Sequence, residues 1–395
     1  MSKFSFVNVG CFALITFCAT VPTLAADPYK INVILPLTGN GSFLGKGQQQ
    51  TLQALQAEVN KSGGIKRPEG RVRLPGRPVQ PANGGATGQW HCVGQKPSVM
   101  IGSSLVAMCC AIAPLLKSGP FDYCLSPGVH PAIGSFQYSS SVDTRDLMDV
   151  MMRYFKMRGW TRIAFMSSTD ASGQDWQRGL DEFLARPENA VMTVVERQSF
   201  NPNDISVSAQ IERIKASKPQ IFFALSSGAP IATVFKAAFQ AGLNVPICTT
   251  NANQTFAQMD QYKDFLPKEL YIASSVFIPH DGLLKLDPDV EAEQKEFYAV
   301  HKAINVAPDN MSALAWDPAK IVLSALRRLG PNATGEEVRS YVANLSGFAG
   351  VNGLYDFRAT SQRGLNNMNA VMSRWDGTVH NWIAVSKPTG LPLEN

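Results

Sequence analysis

Residues 30–65 read KINVILPLTGNGSFLGKGQQQTLQALQAEVNKSGGI, and no other stretch limits the fold as strongly. Residues 31–35 form a short apolar run of the kind that makes a buried parallel strand. Pro36 and the run Thr38-Gly39-Asn40-Gly41 break it. Leu52, Leu55 and Val59 recur at spacings of three and four, which predicts a helix over about 45–61 with one apolar stripe. Ser62-Gly63-Gly64 then supplies a left-handed cap. A parallel strand needs parallel neighbours, and these need crossover helices, so one strand–loop–helix unit implies several. In open sheets of this kind, the loop after the strand faces the ligand crevice.

Two nucleotide motifs come close here and fail. Gly39, Gly41 and Gly45 spell G-x-G-x-x-x-G, one residue too long for the dinucleotide fingerprint. Gly41 to Lys46 is one residue too short for a phosphate-binding loop, with Gly47 where Ser or Thr should stand. The better reading is a loop whose glycines let it bend close to a ligand.

Beyond residue 98 the alternation repeats. Residues 98–102, 121–125, 161–166, 191–198, 221–225 and 245–250 read as strands. Residues 107–117, 143–158, 174–185, 205–217 and 230–242 read as helices, the second with Met148, Met151, Met152 and Phe155 on one core-facing side. Such alternation predicts parallel sheets with right-handed crossovers, and 395 residues at 45% hydrophobic content are enough for two cores.

Residues 1–26 have the form of an export signal: Lys3, an apolar region to about Thr20, then Thr23-Leu24-Ala25-Ala26 with small residues for cleavage near Ala25 or Ala26. The apolar run is too short for a membrane anchor. Among Cys92, Cys109, Cys110, Cys124 and Cys248 there is no C-x-x-C pair and no histidine at ligand spacing, so no metal is expected. One disulfide could join two of Cys109, Cys110 and Cys124, and the sequence does not choose the pair. Neither a G-x-S-x-G elbow nor H-E-x-x-H occurs, so catalysis has no sequence support and no cofactor is expected.

Several segments, in order, resemble the periplasmic solute-binding proteins of ABC importers, in the branched-chain amino acid subgroup with the type I periplasmic binding fold. They are the opening strand–loop–helix with Asn60 to Ile65, Gly102-Ser103-Ser104 with Ala113-Pro114-Leu115, and Leu125-Ser126-Pro127-Gly128. Further on come Arg162 to Phe165 with Gly173-Gln174, Ala241-Gly242-Leu243 with Pro246, and Gly353-Leu354-Tyr355-Asp356-Phe357 with Arg363-Gly364. The resemblance implies α/β architecture: two doubly wound parallel-sheet lobes joined by three hinge crossovers near Ser140, Ala273 and Gly350. Lobe 1 would hold 27–140 and 276–349, and lobe 2 would hold 141–275 and 350–395. It implies a periplasmic, monomeric protein that traps a small solute by hinge closure and hands it to an inner-membrane ABC permease. No nucleic acid is expected: the net charge of +5 is carried by Lys3 and a basic segment of +4 at 66–95. A sensing module of the same fold, and less readily an exported hydrolase using Ser104 or Ser172, are the alternatives.

Carried over residue by residue, the family's ammonium clamp of two tyrosines and a glutamate is missing. Ser172, Gly228 and Asn251 stand at those positions, and His130 stands at the threonine of the second ligand loop. The ligand set implied is Phe43, Leu44, Ser103, Ser104, Ser126, Gly128, His130, Ser172, Ser226, Ser227, Gly228, Asn251 and Asn253. His130 reads equally as a surface histidine, and Asp170 as a helix cap. A solute with a free α-ammonium would find no counter-charge, so a small carboxylate or amide, amino-acid-like or aromatic, is expected.

Residues 66–95 break the pattern. Six Gly, four Pro and one Leu, with no Ile, Phe or Met, argue against any strand or helix where the family has both. The segment is either a basic surface insertion or the product of two compensating frame changes. Permitted codons for 67–93, shifted by one base, can encode an apolar strand, an Asp-Asp-Gln turn and an amphipathic helix.

Overall fold

The computed structural model describes residues 29–65, 72–73, 76–78, 97–277 and 284–393. The expected export signal and most of the basic segment lie outside them.

The chain opens with β1 (Tyr29–Lys30), β2 (Asn32–Leu35) and α1 (Ser42–Lys61), then β3 (Val72–Arg73), β4 (Gly76–Pro78) and β5 (Val99–Ile101). α2 (Val106–Ile112), β6 (Phe121–Cys124) and β7 (Gln137–Ser139) follow. β4, β2, β5, β6 and β7 pair in that order, all in parallel, as the first sheet. The expectation that no strand survives in 66–95 is corrected for β3, parallel to β1, and β4, which pairs Gly76, Arg77 and Pro78 with Val33, Ile34 and Leu35. β4 is an edge strand, the one place where a sheet tolerates a proline without a lost ladder bond.

The second sheet is larger. α3 (Thr144–Met157), β8 (Arg162–Ser168), α4 (Ala171–Leu184), β9 (Thr193–Phe200), α5 (Ser208–Ala216) and β10 (Ile221–Leu225) come first. α6 (Ile231–Gln240), β11 (Ile247–Thr249), α7 (Phe256–Tyr262) and β12 (Leu270–Ser275) continue it. The chain then returns to pack α8 (Pro288–Ala303), α9 (Asn310–Leu329) and α10 (Gly335–Ala343) against the elements of the first sheet. The hairpin β13 (Ser346–Gly350) and β14 (Gly353–Asp356) leads back to β15 (Ala370–Asp376) and β16 (Asn381–Ala384). The second sheet runs β16-β15-β12-β11-β10-β8-β9, parallel from β12 to β9, with β15 and β16 added antiparallel at one edge. The result is the expected α/β class with two parallel-sheet layers.

The parallel strands read as apolar runs because both faces are covered. Every residue of β10, Ile-Phe-Phe-Ala-Leu, is at most 1% exposed. The methionine stripe of α3 is core: Met148, Met151 and Met152 are all fully buried. The hairpin is anchored by Asp317 of α9, whose carboxylate accepts from the Val351 and Asn352 amides at 2.8 and 3.0 Å and from the Tyr355 hydroxyl at 2.9 Å.

Candidate functional site

Loops at the carboxyl ends of the parallel strands face each other across a cavity of about 400 Å³. From the first sheet come Thr38–Gly41 with Leu44 after β2, Ser103 to Met108 after β5, and Leu125, Ser126, Pro127 and Gly128 after β6. From the second come Asp170, Ala171 and Ser172 after β8, Pro202 and Asn203 after β9, Ser227 and Pro230 after β10, and Asn251 and Ala252 after β11. Ile34, Leu35, Pro36, Thr144, Trp176 and Leu314 complete the described lining. A crevice outside the carboxyl ends of parallel strands is where open α/β sheets bind ligands.

The lining is mostly apolar, with neutral polar groups set into it. Ser104 Oγ and Asn251 Nδ2, one from each sheet, are buried and have no hydrogen-bond partner among the described residues. Protein interiors rarely leave such groups unpaired, and these two line the cavity, so both are available to a solute held there. The Ser172 and Ser227 hydroxyls meet each other at 2.8 Å. Asp170 is the one charged residue in the lining among the described residues, and its Oδ1 accepts from the Gly173 amide at 2.9 Å and the Ser168 hydroxyl at 2.8 Å. It caps α4, the second of the two readings its position allowed.

Of the residues expected in the site, Leu44, Ser103, Ser104, Ser126, Gly128, Ser172, Ser227 and Asn251 line this cavity. Five do not, each for a physical reason. Phe43 turns the other way on α1 and packs edge-on against Tyr262, with ring centroids 6.2 Å apart. Ser226 is fully buried under its loop, where its carbonyl accepts from Asn253 Nδ2 at 2.7 Å. Asn253 is spent on the same loop, since its Oδ1 accepts from the Gly228 amide at 3.0 Å. Gly228 brings backbone, not a side chain, to the cleft edge.

His130 is the fifth. Its Nδ1 lies 2.9 Å from Asp143 and its Nε2 2.9 Å from Asp175, with the Arg145 guanidinium beside it. Burial pulls its pKa down, but the hydrogen bonds to Asp143 and Asp175 outweigh this and raise it above the ordinary value. Asp143 shows the counterpart: burial pushes up, yet bonds to His130 and the nearby Arg363 guanidinium hold it at about 2. Arg363, itself buried, donates to the Pro127, Val129, Ser140 and Ser141 carbonyls, so this cluster fastens the loop after β6 to the second layer.

The disulfide left open by the sequence joins Cys109 of α2 to Cys124 at the end of β6, with Cα atoms 6.0 Å apart. It ties the base of the Ser103–Ser104 loop to the base of the Ser126–Gly128 loop. Cys110 is exposed and Cys248 is buried. Asn203 and Trp176 were missed by sequence reasoning, which named Asn40 only as part of the loop facing the crevice. Asn203 belongs to a loop with no distinguishing pattern, and Trp176 reads as one more apolar position on α4.

The protein-family model described as periplasmic binding protein matches residues 99–378. No curated protein matches the sequence. Among solved structures, an extracellular ligand-binding receptor from Rhodopseudomonas palustris HaA2 is 17% identical, with a TM-score of 0.75 over 90% of this chain and 99% of that one. The branched-chain amino acid transporter substrate binding protein LivJ from Streptococcus pneumoniae, in complex with isoleucine, is 14% identical, with a TM-score of 0.72 over 91% and 99%. An ABC transporter solute-binding protein from R. palustris, in complex with benzoate, is 14% identical, with a TM-score of 0.68 over 93% and 98%. At these identities the likeness is one of fold.

Proposed function

Because this chain belongs to the periplasmic binding protein family, we propose that it captures a small solute in the cavity between two lobes and delivers it to an inner-membrane ABC permease. The lobes are 27–140 with 276–349, and 141–275 with 350–395. The protein acts as an exported monomer and does not transform the solute. The observation that carries the reading is the cavity itself, walled from both sheets and holding one unpaired buried polar group from each, Ser104 and Asn251. No described helix is long and apolar enough to cross a membrane.

The solute is a small carboxylate or amide without a free α-ammonium, and an aromatic or other apolar portion suits the lining. The streptococcal neighbour holds isoleucine and the R. palustris one benzoate; this cavity favours the second kind. Asp170 is the one carboxylate in the lining among the described residues and is engaged as a cap, so a buried ammonium would go unpaired there at a cost of several kcal/mol. An acid group instead meets the Ser104 hydroxyl, the Asn251 amide and the positive first turn of α1, which opens onto the cavity near Leu44. A sensing receptor would use the same cavity and differ in its partner. A hydrolase is disfavoured, because the Ser172 hydroxyl is paired with Ser227 and His130 is held by Asp143 and Asp175.

The test is to purify the protein natively, unfold it and identify by mass spectrometry what it releases. One intact acid or amide in about equal amount to the protein supports the reading. Conversion of that compound on incubation with refolded protein would replace it with an enzyme.

A further inference from the structure

The two walls of the cavity meet directly, through main chain, beside the first glycine-rich loop. The Asn40 carbonyl, in the first glycine-rich loop, accepts a hydrogen bond from the Ala229 amide at 3.0 Å. Its side-chain Nδ2 lies 3.5 Å from Asn203 Oδ1, also on the second wall. The ledge that receives Asn40 is stiff. Gly228 stands at φ +79°; its amide is held by Asn253 Oδ1 at 3.0 Å, and its carbonyl accepts from Gln258 Nε2 at 3.2 Å. A Cβ at position 228 would lie 2.3 Å from the Asn40 carbonyl oxygen and 3.4 Å from Leu44 Cδ1. Only glycine allows this approach, so the close contact and the residue type are two observations of one arrangement.

We infer that Asn40 and Gly228–Ala229 form a main-chain latch that holds the cleft shut without a solute and closes one end of the cavity, so that the solute must fit wholly inside. A solute can shift a two-lobed protein only by its preference for the closed form. A contact that needs no solute raises the closed fraction beforehand and strengthens apparent affinity in proportion. No charged group takes part in these bonds, so closure of this kind does not rely on the ionic state of the mouth. The inference rests on the solute-binding reading for its meaning, yet its test contains no solute, so the failure of either can be told from that of the other.

The experiment uses the full chain, unfolded in guanidinium, dialysed free of small molecules and refolded. Amide hydrogen exchange at Ala229 and the radius of gyration from small-angle scattering are read for the wild type, Gly228→Ala and Gly242→Ala. Gly242 has φ +63° with nothing within 4 Å of an added Cβ, so its variant carries backbone strain without a collision. The wild type and Gly242→Ala should be compact, with Ala229 exchanging about tenfold or more slowly than an open loop amide. Gly228→Ala should expand and lose that protection. Wild-type Ala229 exchanging at the open-loop rate overturns the latch even if Gly228→Ala fails to fold. So does a Gly228→Ala protein that stays compact and protected, or equal expansion of both variants.

Discussion

The Nε2 of His130 lies 2.9 Å from the Asp175 carboxylate, and this contact joins the loop that forms part of the cavity wall to α4 of the second layer. Thr144, which lines the cavity, donates to the other oxygen of Asp175 at 2.6 Å. The cluster lies just behind Gly128, where an added Cβ would come within 3.1 Å of Asp175. Its ionic state therefore bears on the stability of the wall.

The pH dependence follows from the two shifts. The raised pKa of His130 contributes stability that is fully present below 6.5 and lost as pH climbs through the raised value. The Asp143 carboxyl, held at about 2, contributes stability that is present above 3.8 and lost as pH falls toward 2. His130→Asn should lower the melting temperature most between pH 3.8 and 6.5, and the gap should narrow as pH rises through the raised value of His130. A gap that stays constant across this range would contradict the ion-pair account.

Asp122 behaves in the opposite sense. It is fully buried in β6, and burial pushes its pKa up to about 7 against one opposing hydrogen bond from Gln137 Nε2 at 3.0 Å. Its Oδ1 has no partner among the described residues. The folded protein prefers the protonated form, so stability is full below 3.8 and lost as pH rises through about 7. Asp122→Asn should match the wild type near pH 4 and exceed it near pH 8 by a few kcal/mol, since each tenfold change in proton affinity is worth roughly 1.4 kcal/mol. Urea unfolding at both pH values measures this, and equal midpoints at pH 8 would show that the carboxyl is not destabilised by burial.

Much of this molecule is legible in its sequence, and the illegible parts have identifiable causes. The α1 stripe of Leu52, Leu55 and Val59 and the apolar β10 announce themselves by period. β7, Gln137-Tyr138-Ser139, is as buried as β10 yet mostly polar, because Gln137 and Ser139 bond to their neighbours. No hydropathy pattern could reveal it. Eight of the thirteen expected site residues line the cavity because strand ends fix where loops go. His130, Ser226 and Asn253 were misplaced since their hydrogen-bond partners are distant in sequence or depend on the loop's fold. The choice of Cys109 over Cys110 rests on helix rotation, which turns one inward and the next out.

That pairing is itself testable. Non-reducing peptide mapping should recover a Cys109–Cys124 cross-link, with Cys110 alkylated in the native protein and Cys248 only after unfolding. Replacing Cys109 and Cys124 by serine reopens a loop of separation 15 and should cost about 3 kcal/mol in urea unfolding. A cross-link through Cys110 would refute the arrangement.

Thermal denaturation of the solute-free protein against a small panel tests the central claim most directly. The panel holds leucine, isoleucine, valine, benzoate and related acids and amides without an α-ammonium. A solute at about 100 times its Kd adds roughly 2.7 kcal/mol of stability. The account predicts no shift from the three branched-chain amino acids, a clear shift from at least one ammonium-free acid or amide, and loss of that shift in Ser104→Ala and Asn251→Ala. A large shift with leucine, undiminished in Asn251→Ala, would contradict it.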